Sequence, residues 1–195
     1  MYKTDKFMEN LLIIMKSDLN VYIKSIILKP NAIILNVIDS RCIFNLSKIL
    51  KKFSLFNCKY LFDLTAIDYP FRKNRFELIY FFRSLSYNYK LFLKCFIADK
   101  QGLLSLSSLY SSIPWLEREV WDMFGIVFFE NFDLRRILTD YGFKGHPFRK
   151  DFPLTGFVEI RYDDSKQIIL TEPLELSQEF RFFDFQSPWV KKIIY

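Results

Sequence analysis

Apolar positions along the first 130 residues follow two alternating rhythms. From Thr4 or Asp5 the spacing is helical, and it sets Phe7, Leu11, Ile14 and Met15 on one face. Two β-branched runs follow, over 21–28 and 32–38, with Lys29-Pro30-Asn31 as the turn between them. After a polar break at Asp39 and Ser40, Asn45 or Ser47 leads a second helix that buries Leu46, Ile49, Leu50 and Phe53. The pattern then turns to strands over 60–69, 75–84 and 89–98, joined by short polar turns. In the middle one, Phe76, Leu78, Tyr80 and Phe82 occupy one face and Arg75, Glu77, Ile79 and Phe81 the other.

Three strands joined this way predict an antiparallel meander, and the helices beside it make the fold class α+β. A short helix is predicted over 105–112. The next one carries Pro114 in its first turn, a stripe of Leu116, Val120, Met123 and Phe124, an Arg118–Asp122 pair at i,i+4, and Gly125 as its stop. Beyond the apolar run 126–129 regular patterning fades, apart from a possible turn of helix over 134–138. The reading is an α+β globular domain over 1–129 and an extended, irregular segment over 130–195. The latter carries Phe180, Phe182, Phe183, Phe185 and Trp189 with little to pack against.

Composition narrows the class. Of 195 residues, 51% are hydrophobic and 19% aromatic, which excludes a disordered chain and allows a core that needs no metal or disulfide. The wealth of Phe, Ile, Lys and Tyr beside three Ala and five Gly points to an AT-rich genome. The net charge of +6 is spread over a mixed surface, densest at Lys51-Lys52, Arg135-Arg136 and Arg149-Lys150. Cys42, Cys58 and Cys95 lack the spacing of a zinc or iron–sulfur site, and they suit a reducing compartment. No apolar run reaches the ~18 residues of a membrane span. The opening MYKTDKFMENLLIIMK carries Asp5 and Glu9 and resembles neither a secretory signal nor a transit peptide. The expectation is a soluble chain made where it works.

Candidate chemistry concentrates over 117–161, which holds Gly125, Gly142, Gly145, Gly156 and the sole histidine, His146. Glu117 and Glu119 stand two apart in a helix's first turn, where they point apart and suit the dipole rather than acid–base catalysis. His146 has no second His and no Cys beside it in sequence. No nucleophile elbow, dinucleotide fingerprint or P-loop occurs. Instead Asp133, Arg135, Arg136, Asp140, Lys144, Arg149, Lys150 and Asp151 alternate in sign, interleaved with Phe143, Phe148, Phe152 and Phe157. Arginines among aromatic anchors describe a protein–protein interface, with a solvated loop whose aromatics fold back on their own domain as the plainer alternative.

The segments LTAIDYP (64–70), RFELIY (75–80), EREVWDMFGIVF (117–128), DLRRILTDYGFKGHPFRKDFPLTG (133–156), EIRYDD (159–164) and EPLELSQEFRFFDFQSPW (172–189) resemble the thirty-kilodalton peripheral-arm subunit of respiratory complex I, the NADH:ubiquinone oxidoreductase. The mitochondrial and proteobacterial branch is the nearer one. The chain departs from the family where Glu130-Asn131-Phe132 replaces a usual Gly-His-Pro and Pro114-Trp115-Leu116 a usual Asn-Trp-Tyr; Gly145-His146-Pro147 keeps the second Gly-His-Pro.

The resemblance implies a cofactor-free, non-catalytic subunit of the quinone module, with FMN and iron–sulfur clusters in partner subunits. Its C-terminal segment would wrap the large quinone-site subunit, on the matrix side of the mitochondrial inner membrane or the cytoplasmic face of a bacterial one. Arg135, Arg136, His146, Arg149, Lys150 and Asp151 are the expected polar interface contacts, with Phe152, Phe183 and Trp189 as anchors. Two alternatives remain open at this point: the equivalent subunit of a related membrane hydrogenase, and a basic RNA-binding module whose sheet is the platform. The aromatic-rich signature of the common RNA-recognition sheet is missing.

Overall fold

The computed structural model describes residues 2–29, 32–183, 185 and 189. It divides into two units, Met1–Phe152 and Pro153–Tyr195. The boundary falls later than the 129/130 division read from the sequence, because the 130–152 loop is bonded to Arg118, Asp122 and Asp68 earlier in the chain.

In the first unit, α1 (Tyr2–Asp18) precedes β1 (Ile23–Lys29) and β2 (Ala32–Val37); their turn at Pro30-Asn31 and the Phe7 side chain lie outside the described residues. A 3-10 turn at Ser40–Cys42 runs into α2 (Ile43–Lys52). This helix begins earlier than Asn45 or Ser47, because the Asp39 carboxylate accepts from Arg41 N (3.1 Å) and starts the helical course there. Ile43, Leu46, Ser47 and Leu50 form its buried face.

Strands β3 (Tyr60–Asp68), β4 (Phe76–Ser84) and β5 (Tyr89–Ile97) form the expected antiparallel meander. The complete sheet is mixed, in the order β1-β2-β5-β4-β3, because β5 pairs β2 in parallel, Ala32 opposite Lys90. One face carries Ile33, Leu35, Leu91, Leu93, Cys95, Phe76, Leu78, Tyr80, Phe82, Leu61 and Leu64 into a core shared with Leu11, Met15, Leu46, Leu50 and Val120 of the helices.

The helix expected over 105–112 is absent. Two-residue strands β6 (Leu103–Leu104) and β7 (Phe128–Phe129) pair in parallel, and turns follow β6. Ser105 and Leu106 give their donors to Glu117 instead of to a helix. The 134–138 stretch is likewise non-helical. Helix α3 (Ile113–Phe124) keeps Pro114 in its first turn and ends at Gly125 (φ 77°).

The second unit is not wholly extended. It contains an antiparallel hairpin of β8 (Val158–Asp163) and β9 (Ile168–Pro173), with Arg161 and Glu172 bridged at 2.7 Å across the strands.

Leu93 is fully buried on the central strand β5. Leu93→Ala is expected to cost about 2–5 kcal/mol of stability. Phe71→Ala, at a 97% exposed position, should shift stability by under about 0.5 kcal/mol. Urea unfolding of the full chain checks both.

Candidate functional site

A helix leaves its last four carbonyls without intrahelical donors. At the end of α3 each one is met from the following loop. Gly125 N donates to Trp121 O at 2.8 Å, His146 Nδ1 to Asp122 O at 2.9 Å, Phe148 N to Met123 O at 3.0 Å, and Arg149 Nε to Phe124 O at 2.6 Å. A guanidinium here also meets the negative end of the helix dipole. Arg149 continues to Asp99 (3.4 Å) and stacks over Phe76, while His146 lies edge-on to Trp121. Gly125 makes this closure possible. A Cβ there would sit 2.6 Å from the His146 ring and 2.8 Å from Arg149 Nη2, on a left-handed backbone.

Two buried aspartates pin the rest of the loop. Asp122 Oδ1 accepts from Arg136 Nη1 (2.7 Å) and Thr139 Oγ1 (2.6 Å), and Oδ2 from the backbone N–H of Ile137, Leu138 and Thr139 at 2.9–3.1 Å. Burial raises its pKa, but the Thr139 hydroxyl, the backbone donors and Arg136 together hold it well below the ordinary range. Arg136 reaches on to Gly145 O at 3.0 Å. Asp68, at the core end of β3, forms a two-bond fork with Arg75 (2.7 Å each) and accepts from Lys150 N at 2.8 Å. Its pKa is also lowered: burial is outweighed by Arg75 and the Lys150 N–H. Arg75 then bridges Asp151 at 2.9 Å.

Arg118 faces the loop rather than Asp122, contrary to the i,i+4 pairing expected. It donates to Arg135 O (3.1 Å) and Arg136 O (3.2 Å) and lies 3.7 Å from Asp133. The helix turns Asp122 inward, where Arg136 reaches it from the loop. Glu117 is fully buried and accepts from Ser105 Oγ (2.6 Å), Leu106 N (3.0 Å) and Asn131 Nδ2 (2.9 Å). Burial raises its pKa against those three bonds. Asn131, one of the departures from the family pattern, thus closes the loop onto α3 through its amide.

The residues singled out in the sequence fall into three groups. Arg136, His146, Arg149 and Asp151 converge on the end of α3 and on Arg75, each bonded within the chain. His146 is half-buried, and its pKa is lowered by burial and then by Arg149 and Arg136 against the pull of Asp122 O, so the neutral ring prevails at neutral pH. Arg135 and Lys150 expose their side chains, Arg135 pairing with Asp133 at 3.0 Å; Phe152 packs on Phe143, with ring centres 6.0 Å apart. Phe183 and Trp189 belong to the second unit and are 64% and 91% exposed. Asp68, Arg75 and Thr139 carry no sequence-based expectation as site residues, and Asp122 carries one only as the partner of Arg118. For the two aspartates the signal is faint: a carboxylate at an otherwise apolar position of a strand or helix. Among the described residues no three His, Cys, Asp or Glu side chains gather closely enough to hold a metal ion.

The family model described as respiratory-chain NADH dehydrogenase, 30 Kd subunit, matches residues 37–158, which hold α2, the β3–β4–β5 meander, α3 and the pinned loop. The chain belongs to that family. It is 49% identical over 174 residues to NADH-ubiquinone oxidoreductase subunit 9 of Acanthamoeba castellanii, covering 87% of each chain. It is 56% identical over 131 residues to the subunit 9 of Prototheca wickerhamii, covering 67% of this chain and 68% of that one. With NADH dehydrogenase [ubiquinone] iron-sulfur protein 3 of Arabidopsis thaliana the identity is 49% over 150 residues, 77% of this chain and 79% of the other. The fold is also that of a trypsin-resistant fragment (1-134) of Nqo5, with a TM-score of 0.55 and 23% identity over 66% of this chain and 99% of the fragment. A chain of the membrane-bound sulfane sulfur reductase, an archaeal respiratory membrane complex, gives 0.62 and 24%, covering 76% and 86%.

In this 30 kDa family member, Asp122 and Asp68 set an acid limit on the loop. Both titrate below the ordinary ~3.9 of an aspartate, so their contribution to folding is complete above that pH and is lost as pH falls through the lowered folded-state range. Asp122→Asn should cost about 2–4 kcal/mol at pH 7, and its gap from the natural chain should shrink below pH ~3. Urea midpoints from pH 2 to 7 check this. Gly125→Ala should cost about 1–2 kcal/mol for the left-handed backbone alone, and amide exchange should additionally show Phe148 N–H losing its protection.

Proposed function

We propose that this chain is a structural subunit of the NADH:ubiquinone oxidoreductase, complex I, with no active site of its own. Membership in the 30 kDa family, with relatives near 50% identity that bear that enzyme's name, supports the assignment over a membrane-hydrogenase relative. The observation that carries the mechanism is the closure of all four terminal carbonyls of α3 by the loop. A loop pinned to a helix end and to two buried aspartates holds one shape without a partner, so it presents a preformed surface and little ordering entropy is lost on docking. Electrons would pass through FMN and iron–sulfur clusters held by other subunits. This chain would keep the cluster-to-quinone geometry fixed by bracing the large quinone-site subunit of the peripheral arm.

Arg135, Lys150 and Phe148 are among the exposed members of that surface. Phe183 and Trp189, both exposed on the second unit, would be its apolar anchors. Among the described residues no helix is long and apolar enough to cross a membrane. We place the chain in the peripheral arm, on the matrix side of the mitochondrial inner membrane.

Arg149→Ala uncaps α3 and is expected to reduce full-size complex on a native gel, together with NADH:quinone activity, by several-fold. Unchanged assembly and turnover would remove the role assigned to this loop. Trp189→Ala and Phe183→Ala should weaken assembly to a similar extent while the isolated chain unfolds at the natural urea midpoint, because neither side chain is buried in it. A parallel fall in intrinsic stability would make them core residues rather than anchors.

A further inference from the structure

The helices of the first unit cover one face of its sheet. On the other face, the register lines up one apolar side chain per strand: Ile27 of β1 opposite Ile34 of β2, then Phe92 of β5, then Phe81 of β4, with Phe62 of β3 against Phe81. Ile27 is 48% and Phe62 55% exposed, and Ile34, Phe92 and Phe81 are partly exposed. A face meant for water alone would alternate polar residues here.

The row has a basic margin on one side. Lys29 stands opposite Ala32, Ala32 opposite Lys90, Lys90 opposite Arg83, and Arg83 opposite Tyr60, again in register. Among the described residues these three cations meet no carboxylate, and the buried Arg83 Nε lacks a hydrogen-bond partner. Arg83 Nη2 donates to the Asn88 amide oxygen at 3.2 Å, and the guanidinium stands over the Phe62 ring at 5.9 Å. The other margin is close to neutral: Asn36 donates to Ser25 at 2.7 Å, and Lys94 is bridged to Glu77 at 2.8 Å. Asp63, beside Phe62, accepts from Leu64 N.

We infer that this open face is a second docking surface, for an amphipathic helix of another protein whose apolar stripe is flanked on one side by Asp or Glu. Five strands at ~4.8 Å spacing make the row about 19 Å long. A helix stripe of about 13 residues spans that distance. A partner carboxylate would complete Arg83 and meet Lys90 and Lys29, which settles the direction in which the helix lies. A second copy of this chain meeting it through the same face would bring the same cations. Single-stranded RNA would need free ring faces for stacking. Here Phe81 and Phe92 pack on each other at 4.7 Å and Phe62 stands edge-on to Phe81, and two of the five positions are isoleucine. This surface shares no residue with the pinned loop.

Carbodiimide cross-linking of the native assembly joins a lysine amine to a carboxylate only where the two touch. Lys90 and Lys29 are expected to link to Asp or Glu on one helix of one other protein, and Lys90 to acetylate at least tenfold more slowly in the assembly than in the full chain alone. Phe62→Glu should abolish that protection while leaving the chain's unfolding midpoint unchanged. Several results overturn the inference: equal acetylation in both states, protection without lysine–carboxylate links, links to a second copy or to a non-helical segment, or protection lost on ribonuclease treatment. The subunits that migrate with the chain on a native gel report separately on the host complex, so failure of one reading is distinguishable from failure of the other.

Discussion

The carbonyl end of α3 is the constraint around which the first unit is arranged. Four oxygens that the helix cannot satisfy, at the negative end of its dipole, demand donors in a small volume. The chain meets the demand with a backbone N–H at each of two positions, an imidazole and a guanidinium. The reversal at Gly125 has to be tight enough for the loop to return. The loop's own polar groups must then be held from behind, which Asp122 does with five bonds and Asp68 does through Lys150 N. Irregular backbone takes a defined course here because many of its polar groups have a fixed partner.

That determinacy explains which parts of the architecture could be read from the sequence. Strands β3, β4 and β5 announce themselves because their alternation is local and their turns are short. The parallel pairing of β2 with β5 leaves no local trace, since it joins segments separated by a helix and two strands. The segment 105–112 misleads for a related reason. Its serines fit a helix by spacing, but Glu117 takes their donors from the next element. Arg118 and Asp122 illustrate the same limit: spacing brings them near each other, and burial of Asp122 sends each to a different part of the loop.

The candidate site was legible by composition and not by partnership. Alternating charge and aromatics mark 133–157 as a segment with specific contacts. Half of each contact lies elsewhere, on Asp68, Arg75, Asp99 and Asp122. A lone aspartate in a strand such as LTAIDYP is easily passed over as a strand end. The resemblance to the 30 kDa family identified the whole without resolving these pairs. Of the charges expected to reach outward, Arg136, His146, Arg149 and Asp151 are bonded within the chain.

The mixed sheet also has a consequence for how the chain is made. During synthesis from the N-terminus, α1, β1, β2 and α2 emerge well before β5, so the inner edge of β2 stays open until Lys90 and its neighbours arrive. The β3–β4–β5 meander can zip locally, whereas joining it to the β1–β2 hairpin closes a long loop and is the slow, entropically costly step. Until that step the nascent chain carries two half-sheets, each with a bare strand edge. The central strand is therefore the seam along which the two halves of the domain are joined last.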